Sequence, residues 1–471
     1  MTDAHTAGLI AFSDVQRVFG PLAVVAGVSG VGYDELVELE VQDGSRYHGV
    51  VLEVDRDLAV VQVFEGTRGI GRTGVSARFS GRPMEIPIGE GWLGRVVNGR
   101  GEPLDGGPPV LGPATRPIEG APLNPAHRDA PHDPVVTGVS VLDGLATLVR
   151  GQKLPVFSQG GLPHLRLASQ IAVQAHAGDE SFRIVFCAMG ITHADADAVA
   201  QALEARSAKK EIVLVQNTAD DPVIERILSP RLALTVAEHL AFELGHHVLV
   251  IMADMTSYCE AVREVSSSRG DIPARRGYPG FLYSDLASLY ERSGRLKNRD
   301  GSLTQLPVLT MPGGDLTHPV PDLTGYITEG QIVLTPELSN RSIYPPVDVL
   351  QSLSRLMRLG VGKDRTRDDH LAVANQVYAA LARSRQARDL GELVGEDALS
   401  ETDRRFIAFA DAFEKQLLSQ DPEEDRDLNR TLDLAWEVLS SLPRRELTMI
   451  STTMADAHYR EAARATANAT R

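Results

Sequence analysis

The chain has 471 residues, a formal net charge of −16 and a pI near 5.3. That length accommodates about three domains of ordinary size, and so acidic a surface repels polyphosphate backbones, which argues against a general nucleic-acid binder while leaving room for a local basic patch. Hydrophobic residues at 43% and charged residues at 23% are the proportions of a folded chain, not a disordered one.

The first residues, MTDAHTAGLIAFSDVQ, carry neither the basic segment nor the long apolar stretch of an export signal, so the expectation is a cytosolic protein. No apolar run reaches the roughly 18 residues needed to cross a bilayer, and any membrane association is expected through partners. Cys187 and Cys259 are far apart and lack metal-ligand spacing. Both are expected to be reduced, buried thiols, and no metal site is expected from them.

Between residues 36 and 64 apolar residues alternate with polar ones, as in Val37, Leu39 and Val41 against Glu38 and Glu40, with turns expected at Asp43-Gly44 and at Gly49. This predicts a small β-barrel. Residues 99–135, rich in Gly and Pro, read as an extended connection over a surface. From about 150 buried-strand runs alternate with helical segments: RIVFCAM (183–189), EIVLVQN (211–217), VLVIMAD (248–254) and LPVLTM (306–311). Such runs predict a mostly parallel sheet covered on both faces. Ala233, Val236, Ala237, Leu240, Ala241 and Leu244 predict a helix packed on it. Beyond about 350 two helical stripes predict a closing bundle: Phe406, Phe409, Ala410, Phe413 and Leu417, then Leu428, Leu432, Ala435, Trp436 and Leu439. The Ala/Thr-rich end after Tyr459 is expected to fray.

LPVFSQGGLPHLRLASQIA (154–172) has the layout of a phosphate loop: strand, glycine turn, helix. A working loop of the form GxxxxGK[ST] cradles phosphates with backbone N–H groups, neutralises them with its lysine and holds magnesium with its hydroxyl. Here Ser158 takes the first glycine position, Pro163 the second, His164 that of the lysine and Leu165 that of the hydroxyl residue. Proline has no N–H to give. Leucine offers no oxygen to a hard cation, and an unperturbed histidine is mostly neutral near pH 7. Arg166 is read as a surface or interface arginine, not as a substitute cation. The loop is expected to keep its shape and lose its chemistry.

Long stretches of the chain resemble the B subunit, the one with the non-catalytic nucleotide site, of V/A-type rotary ATPases. They include RGQKLPVFS (150–158), DDPVIERILSPRLALTVAEHLAFE (220–243), HHVLVIMADMTSYCEAVREVSSSRGDIPARRGYPGFLYSDLASLYERSG (246–294), THPVPDLTGYITEGQI (317–332) and PPVDVLQSLSRL (345–356). The resemblance implies an α/β multidomain chain. Its parts would be an N-terminal β-barrel over residues 1–75, a RecA-type α/β domain with a degenerate loop over 76–348 and a C-terminal helical domain over 349–471. Catalytic relatives end the strand after the loop in Gly-Glu-Arg, whose glutamate serves the attacking water. In VFCAMGIT, Ile191 stands at the glutamate position and Thr192 at the arginine, and an alkyl side chain cannot take a proton. Asp254 matches the Walker B carboxylate, with a structural role at the strand end as open as a vestigial metal role. Many B chains of this family carry Asn-Glu where this chain has Leu165-Arg166.

By the same resemblance, Arg355 in SLSR occupies the place of an arginine finger reaching ATP or ADP, with magnesium, on a neighbouring catalytic A subunit. No nucleotide is expected to be bound tightly by this chain alone. Arg275 and Arg276 suit interface or rotor-facing positions and receive no site. The implied partners are A subunits in a hexamer of three A and three B chains, a central rotor stalk and peripheral stalks. Membrane contact would come only through the ion-translocating sector, on the cytoplasmic side. The implied function couples ATP synthesis or hydrolysis to proton or sodium transport. Two rivals are a self-sufficient homohexameric export-type ATPase, which would need the missing lysine, hydroxyl and glutamate, and a spacer that never touches nucleotide.

Overall fold

The computed structural model describes residues 10–12, 15–178 and 181–460. Its first unit is an antiparallel seven-stranded sheet wrapped around its own apolar core. The strands are β1 (Ile10–Phe12), β2 (Val15–Phe19), β3 (Leu22–Ala26), β4 (Glu35–Val41), β5 (Arg46–Asp55), β6 (Leu58–Val63) and β7 (Val75–Pro83), in the order β1-β7-β4-β5-β6-β3-β2. Alternation sorts β4 as expected: Val37 and Leu39 are buried with Val61, Ala77 and Phe79, while Glu38 and Glu40 point outward to Arg78 on β7.

Asp43-Gly44 does turn the chain, with Gly44 at φ 85°. Gly49 does not. It lies inside β5, where a Cβ would come 2.5 Å from the Gln62 carbonyl oxygen of β6, so glycine is required there by close strand approach. The reversal comes after β5, at Arg56, with φ 55°.

The central sheet is built from β8 (Val156–Gln159), β9 (Phe182–Ile191), β10 (Ile212–Thr218), β11 (His247–Ala253), β12 (Ser302–Met311) and β13 (Gly330–Val333). These pair in parallel in the order β13-β8-β12-β11-β9-β10, and the two-residue β14 (Leu353–Ser354) runs antiparallel along β13. The unbroken apolar runs have a simple cause: alternate residues serve two cores. Phe186, Ala188, Leu249 and Ile251 face one, and Cys187, Met189, Val250 and Met252 the other.

Helices α1 (Ser140–Leu145), α2 (His164–Gln174) and α3 (His193–Ala208) pack against the first core. On the opposite face lie α4 (Val223–Phe242) and α5 (Met255–Arg269). The expected helical stripe of α4 is buried from Ala233 to Ala241, but Leu244 falls past the helix end and is partly exposed. Cys187 and Cys259 are both buried and unpaired, and burial raises both thiols above their ordinary range.

The C-terminal bundle comprises α6 (His370–Val394), α7 (Glu401–Phe413) and α8 (Leu428–Leu439). Phe406, Phe409, Phe413, Leu432, Ala435 and Trp436 are buried and continue the first core of the sheet. Buried polar bonds fix this docking: Ser140 Oγ meets Thr431 Oγ1 at 2.9 Å, and the Ser140 N–H donates to Gln420 Oε1 at 2.9 Å. The expected fraying after Tyr459 falls almost wholly outside the described residues. Among the described residues no helix is long and apolar enough to cross a membrane.

Candidate functional site

A parallel sheet gathers its loops at the carboxyl ends of its strands, and there the predicted loop residues meet. Pro163, His164, Leu165, Ile191, Thr192 and Asp254 line one depression above β8, β9 and β11. Gly161, at φ 84°, makes the turn. Pro163 is the N-cap residue of α2 and provides no side-chain cap. His164 turns back on its own loop: Nδ1 donates to the Leu162 carbonyl at 3.0 Å and lies 3.2 Å from Ser158 Oγ. Ser158 is fully buried. Leu165 packs against the first core, and the Arg166 guanidinium sits 5.5 Å from the centre of the Tyr344 ring.

The remaining polar groups are used in the same local way. Thr192 caps α3, accepting the Asp195 N–H at 3.2 Å and donating to Asp195 Oδ2 at 2.8 Å. Asp254 caps α5 through the Thr256 N–H at 2.7 Å and holds the end of β12 through the Thr310 N–H at 3.2 Å and the Thr310 hydroxyl. Of the two roles open to Asp254, this geometry is that of the strand-end clamp. Ile191 ends β9 as a buried alkyl group. Arg275 and Arg276 form exposed ion pairs, with Asp322 at 3.0 Å and Asp315 at 2.7 Å.

Arg355 lies elsewhere. Ser352 and Ser354 are 4% and 5% exposed, whereas Leu353 is 53% exposed and Arg355 is also exposed. The two-residue period explains the Ser-x-Ser-Arg pattern: hydroxyls face in and are bonded, while the intervening side chains face out. Ser352 Oγ donates to the Asp348 carbonyl at 2.6 Å and accepts the Val333 N–H at 3.0 Å. Ser354 Oγ donates to the Thr147 carbonyl at 2.9 Å. The Arg355 N–H donates to the Glu329 carbonyl at 3.0 Å, and among the described residues its guanidinium makes no hydrogen bond or ion pair.

Strand register places Arg355 far from its own loop. Ile332 pairs with Val156, and Glu329 bonds to Lys153, so Arg355 emerges level with the start of β8. The loop begins after Gln159 at the other end of that strand. A separation of this many extended residues is about 20 Å, well beyond one arginine side chain.

Sequence reasoning missed what underlies this edge. Lys153 is 4% exposed, with Nζ 2.5 Å from Glu291 Oε1 and 3.2 Å from Glu329 Oε1. Burial raises the Glu329 carboxyl and the Lys153 ammonium opposes the shift. The RGQK motif was visible in the sequence, but nothing in it indicates that its lysine is interior.

A β-barrel, a doubly covered RecA-type sheet and a helical bundle, with a phosphate-type loop on the sheet, define a nucleotide-domain subunit of the rotary-motor class. Family models agree over most of the chain: the ATP synthase alpha/beta family beta-barrel domain matches residues 15–81, its nucleotide-binding domain 138–354, and the C-terminal domain of V and A type ATP synthase 359–459. The B subunit of the A-type ATP synthase of Aeropyrum pernix is 55% identical over 445 residues, covering 94% of this chain and 96% of that one. A solved structure, that of the ATP synthase subunit NeqB of Nanoarcheaum equitans, superposes with a TM-score of 0.71 at 38% identity, covering 87% of this chain and all of that one. The chain belongs to the V/A-type branch of the ATP synthase alpha/beta family. The export-type alternative finds no support in these matches.

Proposed function

We propose that this chain is the non-catalytic B subunit of a V/A-type ATP synthase, and that it supplies Arg355 in trans to a catalytic site on a neighbouring A subunit. The observation that carries this reading is the state of Arg355, an exposed cation without an internal partner among the described residues, at the end of the sheet remote from its own loop. A guanidinium so placed is free to reach a neighbouring chain, and its forked donors suit phosphate oxygens.

The loop supports the other half of the proposal. Residues that would have to hold a magnesium nucleotide do not fit it: Pro163 brings no N–H, Leu165 no oxygen, and both Asp254 oxygens are engaged by Thr256 and Thr310. ATP or ADP with magnesium then belongs to the A/B boundary, held mainly by the partner, with Arg355 stabilising charge on the transferring phosphoryl group. The assembly would alternate three A with three B chains, around a central rotor stalk and braced by peripheral stalks. It would lie on the cytoplasmic side of the membrane and meet it only through the ion-translocating sector.

Arg355→Ala should leave the hexamer intact and lower ATP turnover by about 10³- to 10⁵-fold. Turnover near the unmodified level would refute the trans role. Magnesium-dependent hydrolysis by the purified chain alone would refute the non-catalytic one.

A further inference from the structure

An exposed arginine without side-chain partners is aimed by its backbone alone. The strand that leads into it, Leu353–Ser354, is two residues long and lies at a sheet edge, too short to hold a fixed position by ladder bonds. Its placement is instead controlled from beneath. Gln152 is fully buried, and its amide is used on both sides. Oε1 accepts the Val149 N–H at 3.0 Å, and Nε2 donates to Ser354 Oγ at 3.0 Å and to the Glu329 carbonyl at 3.0 Å. That carbonyl is the same oxygen that accepts the N–H of Arg355. Ser354 Oγ in turn donates to the Thr147 carbonyl at 2.9 Å.

One interior amide therefore grips both the residue before Arg355 and the acceptor of the Arg355 N–H. A fully bonded buried network of this kind admits a single arrangement. We propose that Gln152 and Ser354 are positioning residues for Arg355, holding its backbone so that the guanidinium meets the neighbouring nucleotide in register. This rests on the reading of Arg355 as a group that acts across the interface. Displacements near 1 Å at such a group cost about 10²-fold in rate, which is the scale on which the network should be felt.

The test uses Ser354→Ala and Gln152→Leu in the complete complex with its catalytic partner, each alone and combined with Arg355→Ala. Expected are a kcat lower by roughly 10- to 100-fold, a KM for ATP within about twofold, unchanged assembly, and no further loss when Arg355 is already absent. A kcat at the unmodified level overturns the proposal, as does a loss that multiplies with that of Arg355→Ala, which would place these side chains in some separate role. Should Gln152→Leu fail to assemble, Ser354→Ala, which deletes one oxygen, decides. Failure of the underlying reading looks different: Arg355→Ala alone would then keep its turnover.

Discussion

The two ends of the central sheet treat their polar groups in opposite ways. At the carboxyl ends of the strands, His164, Thr192 and Asp254 spend their hydrogen bonds on their own backbone, closing a loop and capping two helices. Around Arg355, the buried groups bond one another beneath a side chain that bonds nothing among the described residues. The contrast teaches how a site is given up and how one is kept. Loop chemistry is lost by turning polar atoms toward the loop's own backbone and helix ends, whereas a group reserved for a partner is left unpaired on a backbone that is over-determined.

The largest expected effect strikes the second end. Arg355→Lys preserves the charge but not the planar fork, and turnover of the assembled complex should fall by about 10²- to 10³-fold. Steady-state kinetics would check this, and a lysine that served equally well would reduce Arg355 to a point charge.

Protonation of His370 should also weaken the helix that supports the Arg355 strand. His370, on α6, is fully buried; Nε2 donates to the Gly144 carbonyl at 3.0 Å and Nδ1 accepts the Thr366 hydroxyl at 3.1 Å. Tyr378 of the same helix bonds to the carbonyls of Leu145 and Ser352, which couples that contact to the finger strand. Burial lowers the His370 pKa from the ordinary 6.5 to about 4. Between those values the unfolded chain binds the proton and the folded one does not, so stability present above pH 6.5 is lost as pH falls toward 4. The loss is about 3 kcal/mol at most. Melting curves at pH 7 and pH 5 should converge in His370→Asn; an unchanged acid slope would exclude this histidine as its source.

Much of this contrast was legible in the residues alone. Barrel, parallel sheet and bundle followed from periodicity, because alternation and helical stripes respond directly to which face is buried. Gly49 misled because a glycine required by a neighbouring strand has the same letter as one required by a turn. The losses at Pro163 and Leu165 needed only their covalent structures. Gln152, Lys153 and Glu329 were not legible, since their meaning depends on contacts between segments some 176 residues apart. Only the folded register brings RGQK under SLSR.

At the loop end, Asp254 sharpens the comparison through stability. Asp254→Ala removes the α5 cap and the tie to Thr310, and should cost about 2 kcal/mol in unfolding free energy. The folded complex should still turn over ATP within about twofold of its normal rate. A collapse in turnover without a loss of stability would restore a metal-binding role to this carboxylate.

The smallest effect is assigned to His164, where the reading is most exposed to contradiction. His164 occupies the position a catalytic chain gives to its phosphate-binding lysine, so any surviving nucleotide chemistry in this loop should be most sensitive there. Its visible work is local, one bond from Nδ1 to the Leu162 carbonyl and a contact with Ser158. Truncation to alanine should therefore cost no more than about 1 kcal/mol of stability and alter turnover by less than twofold. Nucleotide binding by the isolated chain, followed by calorimetry with and without magnesium, should be equally weak before and after the change. A His164→Ala chain that lost a measurable affinity would show that this end of the sheet still holds phosphate, and the division between the two ends would have to be redrawn.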